Sequence, residues 1–203
     1  MSTESKQAVN AFLGSVKTEL DQFVATLDTD KVQQAAGLIQ TARTKKNRLH
    51  VTGIGKPGHV AEYMASLFSS TGTPCYFLDG TEAVHGSSGQ LVAGDVVICI
   101  SNSGETQEMM RTVKAIRNND CKIIGVSGGR NSSLARESDV FLYAGVTEEG
   151  GPLNRAPRNS VMAETLVLQA LSVALQADEG WTPAEYIKRH PAGKLGSLRE
   201  NEN

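Results

Sequence analysis

The reactive side chains of this sequence gather in glycine- and hydroxyl-rich turns that follow short apolar runs. Ser101-Asn102-Ser103-Gly104-Glu105-Thr106 directly follows Val96–Ile100 and precedes a helical pattern. Backbone amides at the start of that helix, its positive dipole end and three hydroxyls converge where a phosphate could sit. Ser103 or Thr106 acting only as a helix cap is an equally good reading of those residue types. Gly53-Ile54-Gly55-Lys56-Pro57-Gly58-His59 follows another run. It has the glycine spacing of a dinucleotide turn, and Asp79 after Leu78 keeps a nucleotide cofactor open. Against that, Lys56 is a point charge suited to a phosphate or an oxyanion, and Pro57 removes an amide donor. Asp79-Gly80-Thr81-Glu82-Ala83-Val84-His85-Gly86 holds a histidine whose residue type alone reads as structural. Glu148 and Glu149, before Gly150-Gly151-Pro152, form a carboxylate pair where a general base belongs, or a solvated acidic turn. His190 ends a helix, where the negative dipole end favours imidazolium, and begins His190-Pro191-Ala192-Gly193-Lys194-Leu195-Gly196.

Other chemistries fit poorly. The four histidines are scattered, no Cys-x-x-Cys occurs, and no helix face offers two ligands at zinc spacing, so no metal is expected. A Gly-x-Ser-x-Gly nucleophile elbow is absent. Lys plus Arg is 20 against 22 for Asp plus Glu, a formal charge of −2 that gives no field for nucleic acid or an anionic membrane. Cys75, Cys99 and Cys121 lie in or beside apolar runs, which reads as reduced thiols in a cytoplasmic protein. The N-terminus reads as a helix start rather than a signal peptide, and no run approaches the length of a membrane span.

These turns need elements to hold them. Over residues 5–46 helical spacing predicts two helices, the first with Val9, Phe12, Leu13, Val16, Leu20, Phe23 and Leu27 as its buried stripe. Leu49–Thr52, Cys75–Leu78, Val96–Ile100, Ile123–Val126 and Val140–Tyr143 then read as strands. Helical patterns at Gly58–Ser70, Thr106–Asn118 and Ser132–Glu137 separate them. A long helix fits Asn159–Ala177, and Thr182 with Pro183 starts a last one through Arg189. The alternation predicts an α/β fold, a doubly wound five-stranded parallel sheet flanked by helices, as one domain over 1–203. Its parts are helices at 5–46, the sheet at 49–143, C-terminal helices at 159–196 and a tail at 197–203. Ligands of such sheets sit beyond the carboxyl ends of the strands.

Taken in order, Gly53-Ile54-Gly55-Lys56, Thr71-Gly72-Thr73-Pro74, Glu82-Ala83-Val84-His85-Gly86, Gly94-Asp95-Val96-Val97, Ser101-Asn102-Ser103-Gly104-Glu105, Pro152-Leu153, Ala156-Pro157 and His190-Pro191-Ala192-Gly193 closely resemble the sugar-isomerase (SIS) domain of the arabinose-5-phosphate isomerase family. The resemblance implies an aldose–ketose isomerase acting on a phosphosugar, with no metal or organic cofactor. Lys56, Glu108, Glu149 and His190 fall on the family's catalytic positions. Gly72, Thr73, His85, Ser101, Ser103 and Thr106 fall on substrate contacts, and Asn102 lies in the same loop. The family implies a homotetramer, a dimer of dimers, in which His190 serves another chain's pocket. Departures are Pro57 for the usual serine, Asp79 for a histidine, and Arg158-Asn159-Ser160 for a threonine-rich segment. A threonine-to-arginine change in a loop facing the sugar alters charge and bulk together, which leaves the sugar open. An isomerase of a 3-hexulose or heptose phosphate and a non-catalytic phosphosugar sensor are the alternatives. Familiar members also carry regulatory cystathionine-synthase-type repeats, and this chain ends before them, so that regulation is not expected.

Overall fold

The computed structural model describes residues 2–193 together with 196, 197, 199 and 202. The expected tail and the Lys194–Leu195 part of the His190 segment fall partly outside these. Helix α1 (Thr3–Thr26) is capped by Ser2, which accepts from the Ser5 amide, and α2 (Thr29–Thr44) by Asp28, which accepts from Lys31. The chain then alternates: β1 (Leu49–Gly53), α3 (Lys56–Ser70), β2 (Cys75–Phe77), two 3₁₀ turns (Glu82–His85 and Ser87–Gln90), β3 (Val96–Ile100), α4 (Gln107–Asn118), β4 (Lys122–Ser127), α5 (Ser133–Glu137) and β5 (Val140–Tyr143). Two helices close it, α6 (Asn159–Asp178) and α7 (Pro183–Arg189). Thr182 caps α7 by accepting from Glu185, as its sequence predicts.

All five strands are parallel, in the order β2-β1-β3-β4-β5. Every residue of β1 and β3 is buried, which explains why they read as near-continuous apolar runs. One face of the sheet carries α1, α2, α3 and α6, with Met64, Phe68, Leu168 and Leu171 packed on Val51, Ile98 and Val126. On the other face α4 and α5 pack Met109, Val113, Ile116 and Leu134 against Val97, Cys99 and Ile123. The chain winds from β1 out to β2, then reverses across β1 to β3 and onward. That reversal leaves α3 and α4 on opposite faces and opens a crevice at the carboxyl ends of β1 and β3.

The structure adds to the sequence reading at three places. The buried positions of α1 are Ser15, Glu19 and Phe23, while Val9 and Leu13 stay 49% and 57% exposed. The covered stripe still runs through Phe12, Val16, Leu20, Phe23 and Leu27, but the loop after β5 and Asn159 draw Glu19 and Ser15 in as well. The 3₁₀ turns had no strong periodic signal. Helix α6 is long and apolar enough, by length and composition, to cross a membrane. Here it packs on α1, α2 and α3 and buries Asn159, Ser160, Glu164 and Ser172.

His50 is buried in β1 with Nε2 3.1 Å from Asp95 Oδ2. Asp95 also accepts from the amides of Arg48 and Val92, which ties the entry of β1 to that of β3.

The exit of β1 is equally tight. A Cβ on Gly53 would lie 2.5 Å from the Pro57 carbonyl and 2.7 Å from the Gly58 amide nitrogen. Gly53→Ala therefore forces the start of α3 off the strand, and we expect a loss of about 1–3 kcal/mol in denaturant unfolding.

Candidate active site

The crevice is flanked by the turns after β1 and β3. Lys56 begins α3 behind Gly55, whose φ of 66° needs glycine. Its side chain is exposed, makes no ion pair among the described residues, and lines an open cleft of about 330 Å³ with His59, Tyr63, Pro157, Val161 and Thr165. Across the crevice, Ser101 is buried with Oγ 3.2 Å from Thr106 Oγ1, and it accepts from the Gly104 amide. The Asn102 carbonyl accepts from Ser127 Oγ and the Gly128 amide, and Ser103 Oγ accepts from the Glu105 amide. Glu105 accepts from the Ser133 amide, and the Ser133 side chain and then its amide hold that carboxyl below the ordinary value.

Neither Ser103 nor Thr106 caps α4. The amides of Gln107, Glu108 and Met109 make no hydrogen bond among the described residues, so the helix opens onto the crevice with its donors free. Glu108 sits exposed in that first turn.

Glu149 is placed by a different device. Its Oε2 accepts from the amides of Arg158 at 2.6 Å and Ser160 at 3.1 Å, so the carboxylate caps α6. Asn154 Oδ1 accepts from the Glu149 and Gly150 amides. Behind the loop, Glu19 of α1 accepts from the amides of Thr147 and Glu148 and from the Thr147 hydroxyl. Asn159 donates to Ser15 Oγ and to the Glu148 carbonyl. Arg158, one of the departures noted in the sequence, lies over Gly151 and in a groove with Glu4, Ser5 and Phe12 of α1.

His85 ends the first 3₁₀ turn, exposed, on the same carboxyl edge. Asp79 caps that turn through the Thr81 and Glu82 amides, and Thr112 of α4 donates to the Gly80 carbonyl. Gly72, Thr73 and His190 are not brought to the crevice of their own chain. Gly72 and Thr73 precede β2, whose Cys75 is in register with Leu49, the first residue of β1, so they lie at the amino edge. Gly72 has φ 106° and lies under Trp181, which its Cβ would approach to 2.6 Å. Since Trp181 leads into α7, His190 belongs to that edge too, stacked on Tyr186 with Nδ1 3.0 Å from the Tyr186 carbonyl oxygen.

Three residues with no place in the motif reading matter here: Glu19, Asn154 and Glu164. Glu164 is fully buried, and neither carboxyl oxygen has a hydrogen-bond partner among the described residues. Burial, then the nearby Glu149 charge, pushes its carboxyl up to about 8. The one available signal was an acid in the middle of the most apolar helix. No group of three or more His, Cys, Asp or Glu side chains that could hold a metal occurs among the described residues.

Residues 44–174 match the family model of the SIS domain. The chain belongs to the SIS domain family. This SIS domain is 36% identical over 97% of its length to arabinose 5-phosphate isomerase KdsD of Francisella tularensis, of which it covers 59%. It is 40% identical over 77% of its length to the enzyme of that name from Escherichia coli K12, of which it covers 49%. The SIS domain thus spans about half the length of the curated relatives it matches. It also superposes on the structure of an E. coli CFT073 protein in complex with arabinose 5-phosphate. That match has a TM-score of 0.83, 31% identity, and coverage of 94% of this chain and 100% of the other.

The anchoring of the acidic loop gives a direct test. Glu19→Ala leaves the Thr147 and Glu148 amides without their acceptor, at a cost of about 1–3 kcal/mol. Faster hydrogen exchange at those two amides, with the strand amides unchanged, is the expected readout.

Proposed function

We propose that this chain interconverts an aldose phosphate and its 2-ketose through a cis-enediol, with D-arabinose 5-phosphate and D-ribulose 5-phosphate as the pair. One observation carries the reading: a carboxylate fixed at the head of α6 shares the carboxyl edge of the sheet with an uncapped, hydroxyl-lined helix start and a lysine with no ion pair among the described residues. The names of the relatives and the sugar-phosphate complex of the E. coli CFT073 protein support the choice of sugar.

The phosphate is held by the Gln107–Met109 amides with Ser101, Asn102, Ser103 and Thr106, uncharged donors suited to a dianion. A hydrogen alpha to a carbonyl is barely acidic, so its removal needs a poised base and a stabilised oxyanion together. Glu149 is that base, moving the proton between C1 and C2. Lys56 offsets the enediolate charge, Glu108 orients Lys56 or a hydroxyl, and His85 contacts the sugar. His190 assists ring opening or proton transfer between the two oxygens. Because His190, Gly72 and Thr73 lie at the amino edge, they act in the crevice of a neighbouring copy, within a homotetramer built as a dimer of dimers. The reaction requires no metal or organic cofactor, nucleic acid or membrane, and three buried free cysteines suit the cytoplasm.

Glu149→Gln keeps an oxygen to cap α6, so we expect an unchanged unfolding midpoint and a fall of about 10²–10⁴-fold in kcat. Incubation of wild-type protein with aldose and ketose phosphates in deuterated water should place deuterium at C1 or C2. Binding without exchange would overturn isomerisation in favour of a sensor. Mixing Glu149→Gln with His190→Ala chains should recover turnover that neither has alone, and no recovery would show that each site is built from one chain.

A further inference from the structure

Glu164 is the buried ionisable group that this reaction scheme leaves unused. It lies in α6 four residues beyond Ser160, whose amide donates to Glu149. It is wholly buried with both carboxyl oxygens unpartnered, and Ser160 Oγ is unpartnered as well, among the described residues. An ionised carboxylate there would lose its water and gain no donor, a cost that no contact at the site offsets. Among the elements around α6, the loop after β5 supplies Glu149, the charge that acts on Glu164. On α1, Glu19 is taken up by Thr147 and Glu148. On α3, Lys56 and His59 face α6 across the cleft at Val161 and Thr165. The buried residues of α2 are all apolar.

We propose that Glu149 and Glu164 form a pair holding one proton, carried by Glu164, so that Glu149 is the free base and the pair brings one negative charge to the site. Glu164 is a positioning residue: it touches no substrate and acts through the charge beside Glu149. Loss of its proton would place a second charge next to an enediolate and a phosphate, opposing both. The kinetic arm of the test rests on the isomerase reading, and the stability arm does not.

The test compares full-length wild type with Glu164→Gln in kcat/KM from about pH 5 to about pH 10, and in thermal midpoint over the same range. Wild type should show an alkaline limb near pH 8 and about a tenfold loss by about pH 9, whereas Glu164→Gln keeps the acid limb and lacks the alkaline one. Folding raises the carboxyl from its ordinary 4.5 to about 8, so the folded state holds a proton that the unfolded chain has lost. Wild-type stability therefore falls as pH rises through that window, and the glutamine variant loses this slope. An alkaline limb that survives in Glu164→Gln overturns the proposal, as does an unchanged stability slope. A merely structural Glu164 would shift the midpoint alike at every pH and leave the limb in place. If no sugar phosphate turns over, the isomerase reading fails alone, and the stability slope still decides where the proton resides. Should the variant not fold, carbon-13 glutamate NMR of the wild type takes its place: a carboxyl titrating near pH 8 supports the pair, and its absence overturns it.

Discussion

Parallel strands buried on both faces can be joined only by crossovers that carry a helix over one face or the other, and right-handedness dictates which. In this chain the path turns back once, between β1 and β3. Everything at the carboxyl edge depends on that turn-back. It separates α3 from α4, so that the glycine turn with Lys56 and the serine turn with Ser101 face each other across a gap instead of packing together. The close approach at Gly53 and the buried hydroxyl contact between Ser101 and Thr106 keep the walls of that gap fixed.

The third wall is assembled from outside the sheet. The loop from Ala144 to Arg158 has no regular structure of its own, and the amides of Thr147, Glu148, Glu149, Gly150 and Arg158 donate to side chains. Of the acceptors, Glu19 comes from α1, Asn154 from within the loop, and Glu149 itself closes onto the head of α6, while Ser15 of α1 holds the Asn159 side chain. A helix that gives little to the core thus does its work through a few polar contacts. Glu149 uses one oxygen for the cap, while Oε1 makes no hydrogen bond among the described residues.

Much of this was legible beforehand. β3 and β5 begin and end where their apolar runs do: β3 is buried throughout and admits few polar residues, and β5, at the edge of the sheet, is partly covered but equally apolar. The hydroxyl turn after β3 was equally plain. Glu19 was not, because periodicity marks apolar stripes, and the face that α1 buries is chosen by a partner loop more than a hundred residues away. Glu164 was hidden for a related reason: an acid within an apolar helix reads as solvent-facing until the packing is known. Gly72, Thr73 and His190 teach a different lesson. Residues ahead of a parallel strand must lie at its amino edge, so strand polarity already separated Gly72 from Ser101, whereas a motif match carries no polarity.

Helix α6 has 20 residues, a rod about 30 Å long. Its head is gripped by Glu149, while its foot is moored by Gln40 to Asp178 and by the Arg43–Glu179 ion pair. Just past that mooring come Trp181 and the short helix that ends in His190. The segment bearing His190 and the loop bearing Glu149 are therefore fastened to opposite extremities of one rod, and their separation is set by the length of α6 rather than by the sheet.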